Sequence, residues 1–203
     1  MAAETPARDA KLIQYLNEAY GKEKELETAL QAHIKMATNR KTYKKRLQDH
    51  LKETKAQARG LERRIKQLGG KADASGIPGP EVITATATKA MAAAKGPVHA
   101  LRGKGEAEKL LKNAKTELSN EYEEIGNYVA IETLAQTVGD KDTEKLARDF
   151  RRQEERMASF LVKLLPQLTK AVATEEIPAA ERRTNGARRT ARKRTTSRTR
   201  GTA

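Results

Sequence analysis

Two glutamates one helical turn apart, Glu121 and Glu124, fall on or beside an apolar face in the stretch LSNEYEEIGNYVAIETLA. That face is marked by Leu118, Ile125, Tyr128, Ile131 and Ala135 at helical spacing. A carboxylate aimed into a core is costly unless something pairs with it. Three other stretches repeat the pattern. Glu23 fills the gap in the stripe Leu12, Leu16, Ala19 or Tyr20, Leu26, Leu30 and Ile34. His50, Glu53 or Thr54, and Gln57 interrupt the stripe between Leu47 and Leu61, and Glu154 stands between Phe150 and Met157. Glu155 is the substitute if that last helix is rotated by one residue. Clustered carboxylates in a core need a cation, and carboxylates with a single imidazole suit iron or manganese better than a structural zinc. The expectation is that Glu23, His50, Glu53, Glu121, Glu124 and Glu154 converge on one buried cluster holding two such ions. His33 is read as packing and His99 as a loop or boundary residue. No catalytic residue is assigned.

Four long helices must position these side chains. Thr5-Pro6 reads as a cap and first helical position for a helix reaching about Ala37. Thr38 or Asn39 is expected to cap the second helix, which runs from about Arg40 to Leu68 and stops at Gly69-Gly70. A third spans Gly105 to Gly139, and Asp140 or Asp142 caps a fourth that Pro166 is expected to kink or end. In antiparallel hairpins turning near residues 38 and 139, Glu23 lies level with Glu53, and Glu124 lies within a turn of Glu154. The acidic positions of both hairpins therefore share one height. The long connection over roughly residues 70–104, with a short helix over 81–94, can cross the full length of the bundle. Bundles that hold di-iron or di-manganese sites use one Glu from each of two helices and Glu-x-x-His from the other two. The predicted class is all-α, a ferritin-like four-helix bundle of two antiparallel hairpins with that long crossover. The bundle is expected over residues 1–174 and a basic tail over 175–203.

Composition agrees with a helical bundle. Aromatics make up only 3% of the 203 residues, and there is no Trp. The absence of Cys excludes disulfides, thiolate metal sites and cysteine catalysis. No apolar run is long enough to span a membrane, and the first residues lack the apolar stretch of a secretory signal. A cytoplasmic protein is expected. Gly96 and Gly105 do not have phosphate-loop spacing, and no Ser-His-Asp order stands out.

Within this frame two stretches, YLNEAYGKEKELETAL and LQDHLKETKAQARGLERRIKQLGG, resemble the first two helices of the bacterial YciE/YciF family of ferritin-like stress proteins. Glu18, Tyr20, Glu23 and Lys24 match its E-x-Y-x-x-E-K pattern, and His50, Glu53 and Thr54 match its H-x-x-E-T. EYEEIGNY resembles the third helix, with Glu121, Glu124 and Tyr128 in place, and EERM resembles the acidic pair of the fourth. The resemblance covers residues 10–170 approximately. It implies a ferritin-like bundle with a dinuclear metal site, a homodimer, and a link to stress responses. Tyr122 stands where the family often has His, and Met157 stands where a full Glu-x-x-His motif from Glu154 would need one.

The net charge of +14 is uneven. Residues 179–203 hold nine basic side chains, Arg182, Arg183, Arg188, Arg189, Arg192, Lys193, Arg194, Arg198 and Arg200, against Glu181 alone. This segment has no large apolar residue and is expected to be disordered on its own. Its Arg/Thr pattern suits non-specific DNA phosphate contacts, possible association with the nucleoid, and no base stacking. The alternative function is therefore a nucleoid-associated DNA binder whose bundle is a dimerisation scaffold without a catalytic metal. The remaining 178 residues carry 32 basic and 26 acidic side chains, spread over both signs, and are expected to bind DNA poorly alone.

Overall fold

The computed structural model describes residues 6–74 and 105–182. These form four helices: α1 (Ala7–Met36), α2 (Lys41–Gln67), α3 (Glu106–Val138) and α4 (Lys141–Glu176). There is no strand among the described residues. The expected short helix over 81–94 and the tail from 183 onward lie outside them. α1 and α2 form one hairpin and α3 and α4 the other, with α1 against α3 and α2 against α4.

Glycine ends two of the helices. Gly69 and Gly139 adopt φ of 84° and 77°, where a side chain would be strained. The amides of the residues that follow close back on the helix: Gly70 N–H donates to the Ile65 carbonyl (2.9 Å) and Asp140 N–H to that of Ala135 (2.8 Å). Asp140 then caps α4, accepting from the Thr143 amide at 3.0 Å. Its carboxylate also takes two 2.7 Å bonds from Arg64, tying the α3–α4 turn to the end of α2.

Three local expectations need correction. Pro6 is the cap position of α1, not its first helical residue, and no side chain caps that end. Neither Thr38 nor Asn39 caps α2; the cap position is Arg40 and makes no side-chain bond there. The Asn39 amide instead reaches across to the Glu106 carboxylate at 2.9 and 3.1 Å, so it links the two hairpins at one end. Pro166 does not end α4, which runs ten residues further to Glu176. The proline is exposed, so the carbonyl it leaves unbonded one turn back is on the wet side. Meanwhile Leu161, Leu164 and Leu168 hold the inner face.

The core is divided. One apolar cluster gathers Leu30, Tyr43, Leu47, Met157, Leu161 and Leu168. A second gathers Leu16, Leu61, Ile65, Tyr128 and Ile131. Between them every helix contributes buried polar side chains: Glu23 from α1, His50, Thr54 and Gln57 from α2, Glu121 and Glu124 from α3, and Glu154 from α4. The polar layer is thus closed above and below by aliphatic packing, which excludes water.

Candidate metal centre

His50, Glu121, Glu124 and Glu154 each offer one ligand atom, and these four atoms lie within 4.8 Å of one another. All four residues are at most 2% exposed. Helical geometry delivers them: Glu121 and Glu124 are one turn apart on α3, and His50 and Glu154 face them from the antiparallel α2 and α4. His50 Nε2 lies 3.0 Å from Glu121 and 3.7 Å from Glu154. The rotation of α4 is settled in favour of Glu154. Glu155 is exposed and pairs with Arg151 on the outside.

Glu23 is buried in the same layer and accepts a hydrogen bond from the Tyr128 hydroxyl. Glu53 departs from the expected convergence. Its side chain is 30% exposed and stands behind His50, 3.3 Å from Nδ1, while accepting from Arg46 at 2.8 Å. Glu53 therefore orients the imidazole so that Nε2 faces the carboxylates, an arrangement common behind metal-ligating histidines. Gln57 donates to Glu154.

The layer has far more acceptors than donors. Both oxygens of Glu124, and one oxygen each of Glu23, Glu121 and Glu154, are buried without a hydrogen-bond donor. Burial pushes Glu23, Glu124 and Glu154 above the ordinary carboxylate range, and neighbouring carboxylates push Glu124 further. Burial alone would lower the pKa of His50, but its bonds to Glu121 and Glu53 outweigh this and hold it at about 10. Glu53 behaves oppositely. Burial would raise it, yet His50 and Arg46 bring it down to about 2. The layer therefore keeps protons on several carboxyl groups, and a cation able to displace them would find a prepared set of hard oxygen donors and one imidazole.

Sequence reading missed a neighbouring pair. Glu117 is fully buried one turn before Glu121 and contacts Nδ1 of the half-buried His33. The signal was available, because 117, 121 and 124 share one helical face.

A family model described as "Domain of unknown function (DUF892)" matches residues 8–174. The chain belongs to the DUF892 family. No curated protein sequence matches it. Solved structures similar to this DUF892 member include a protein from Xanthomonas campestris, at 23% identity and TM-score 0.63, covering 83% of this chain and 98% of that one. The E. coli stress protein YciF is 19% identical with TM-score 0.60, covering 81% and 98%. A Desulfovibrio desulfuricans bacterioferritin, whose structure concerns its di-iron site, is 17% identical with TM-score 0.57, covering 83% and 86%. At these identities the likeness shows the fold, and the DUF892 chain is a ferritin-like bundle.

Proposed function

We propose that this protein binds a dinuclear iron or manganese centre within the polar layer of its bundle and acts in stress or oxidant handling. The observation that carries this reading is the set of buried, donorless oxygens on Glu23, Glu121, Glu124 and Glu154 around His50. A water-excluded layer with that many acceptors is expensive when empty and becomes favourable with cations inside it. His50, Glu121, Glu124 and Glu154 would hold the ions, with Glu23 as a further carboxylate. Redox-active iron held there would supply electrons to oxygen or peroxide. The chain's own residues hold Glu23 through Tyr128, Glu154 through Gln57 and His50 through Glu53, and the apolar clusters on either side keep water out. A fold shared with a stress protein and with a bacterioferritin supports this role. The test is equilibrium dialysis of the chain against Mn(II), with bound metal counted by elemental analysis. Two ions per chain are expected, and none in the His50→Ala/Glu124→Gln double variant. A wild-type protein that binds no metal above the variant's background contradicts the proposal.

A second reading rests on the tail. Nine basic side chains in its last 25 residues support contacts with DNA phosphates, with the bundle, as a homodimer in the cytoplasm, serving as their scaffold. The two readings are compatible, because the tail and the polar layer share no residue.

A further inference from the structure

The charge outside the tail is concentrated on one helix. α2 carries ten Lys/Arg against three Asp/Glu, whereas α1 is balanced and α3 has seven acidic against three basic side chains. Six of these cations, Lys41, Lys45, Lys52, Arg59, Arg63 and Lys66, are exposed. Their spacings of 4, 7, 7, 4 and 3 residues put them within an arc of about 60° on the outer face, in a line of roughly 38 Å. Asp49 takes contacts from Lys45 (2.5 Å) and Lys52 (3.3 Å), and Glu62 one from Lys66 (2.7 Å). The line keeps a clear positive excess.

The basic surface continues onto α4. At the start of α2 a groove of about 350 Å³ is lined by Arg40, Lys41 and Lys163, by the polar Asn39, Thr42 and Gln167 and by the apolar Tyr43, Phe160 and Leu164, and no acidic side chain among the described residues lines it. Arg152 and Arg156 extend the cations along α4, interrupted by Glu155. A rigid, straight row of cations of this length matches about one turn of duplex, whose phosphates lie on a helical repeat of roughly 34–36 Å. The exposed large apolar residues among those described, Met36, Tyr122, Val129, Val162 and Ile177, are not on α2. The apolar face of α2, with Leu47, Leu61 and Ile65, is already buried in the bundle. A helix lying in a membrane surface would need that face free. No exposed aromatic on α2 could stack on a base, so recognition is of backbone phosphate without sequence.

The geometry points to the outer face of α2, with the groove at its start, as a binding surface for the phosphate backbone of a double-stranded nucleic acid, separate from the tail and from the polar layer. The test uses the full chain. Lys41→Gln/Lys52→Gln/Arg59→Gln/Arg63→Gln is compared with Lys11→Gln/Lys109→Gln/Lys115→Gln/Lys170→Gln, which removes equal charge elsewhere. Fluorescence anisotropy on a random-sequence duplex is measured at several salt concentrations. The α2 variant is expected to lose tenfold or more in affinity at about 0.1 M salt, with a salt slope shallower by about 0.9 for each contact removed. The control variant is expected to stay within threefold of wild type. Unchanged binding by the α2 variant would assign all affinity to the tail, and equal losses in both variants would reduce the effect to net charge. Either result overturns the proposal, as does lost binding to phosphatidylserine vesicles with duplex binding intact. Lysine acetylation of the unmutated chain is the second measurement. Duplex should protect Lys41, Lys45, Lys52 and Lys66 more than Lys11, Lys109 and Lys170, and uniform reactivity also overturns the assignment.

Discussion

Replacing Glu124 with Gln separates a metal layer from a structural polar layer. Glu124 is 2% exposed, neither of its oxygens has a donor, and burial and its carboxylate neighbours raise its pKa. In the metal-free protein Glu124→Gln should therefore be close to neutral, because an uncharged amide of the same shape replaces a carboxyl group that the layer already keeps protonated. With metal the balance reverses. A ligand present at 100 times its Kd stabilises the native state by about 2.7 kcal/mol. In a domain of this size each kcal/mol moves Tm by roughly 2–4 °C. Wild-type protein should thus gain about 5–11 °C in saturating Mn(II), and the Glu124→Gln protein should gain less than about 2 °C. Differential scanning fluorimetry at pH 7 with a chelated reference reads both effects. Two results would refute the reasoning. One is a metal-free variant less stable by 3 kcal/mol or more, which would make Glu124 a structural hydrogen-bonding residue. The other is an undiminished metal shift in the variant.

Other outcomes follow from the same geometry. The raised pKa values of Glu23, Glu124 and Glu154 mean that their contribution to metal-free stability is complete below the ordinary carboxylate range and is lost as pH rises through the folded values, about 8 for Glu23. His50, raised to about 10, has the same sign, so urea midpoints of the metal-free protein should fall between pH 5 and pH 9, while Mn(II) affinity should rise as protons leave the ligands. Gly60→Ala should destabilise the fold by about 1–3 kcal/mol despite better helix propensity, because the new Cβ would lie 2.7 Å from Cζ of Phe150, whose ring packs edge-on against Tyr128 at 5.6 Å; thermal melts check this. Truncation after Glu176 should leave helix content and metal binding intact and make the salt slope of duplex binding shallower, by roughly 5 if six tail cations contact phosphate.

Much of the fold was legible because helical periodicity is a strong signal when aliphatic stripes run for several turns. The α1 stripe reads directly: Leu12, Leu16, Ala19, Leu26 and Leu30 are buried, and Glu23 is buried in the gap between them. The height of the polar layer was legible too, since short turns at residues 37–40 and 139–140 fix the register of each hairpin. What escaped depended on phase and partners rather than on pattern. Glu53 lies three residues from His50, close enough to predict convergence, but its carboxylate turns to Arg46 on the solvent side. Glu117 was hidden by the choice of Leu118 as the inward residue, although Leu118 is only partly buried. Local propensity alone predicts a kink or an end at Pro166, and tertiary burial of the flanking leucines carries α4 past it. The basic row on α2 was invisible to a net charge summed over the chain, because the acidic α3 offsets more than half of its excess.

The central claim is that the buried layer of His50, Glu121, Glu124 and Glu154, with Glu23 beside it, is a two-metal site. The most direct measurement is an anomalous difference map from a crystal soaked anaerobically in Fe(II), recorded on both sides of the iron edge. Two peaks are predicted inside the layer, within bonding distance of His50 Nε2 and of the Glu121, Glu124 and Glu154 carboxylates. A saturating soak that leaves the layer without an anomalous peak would contradict the claim.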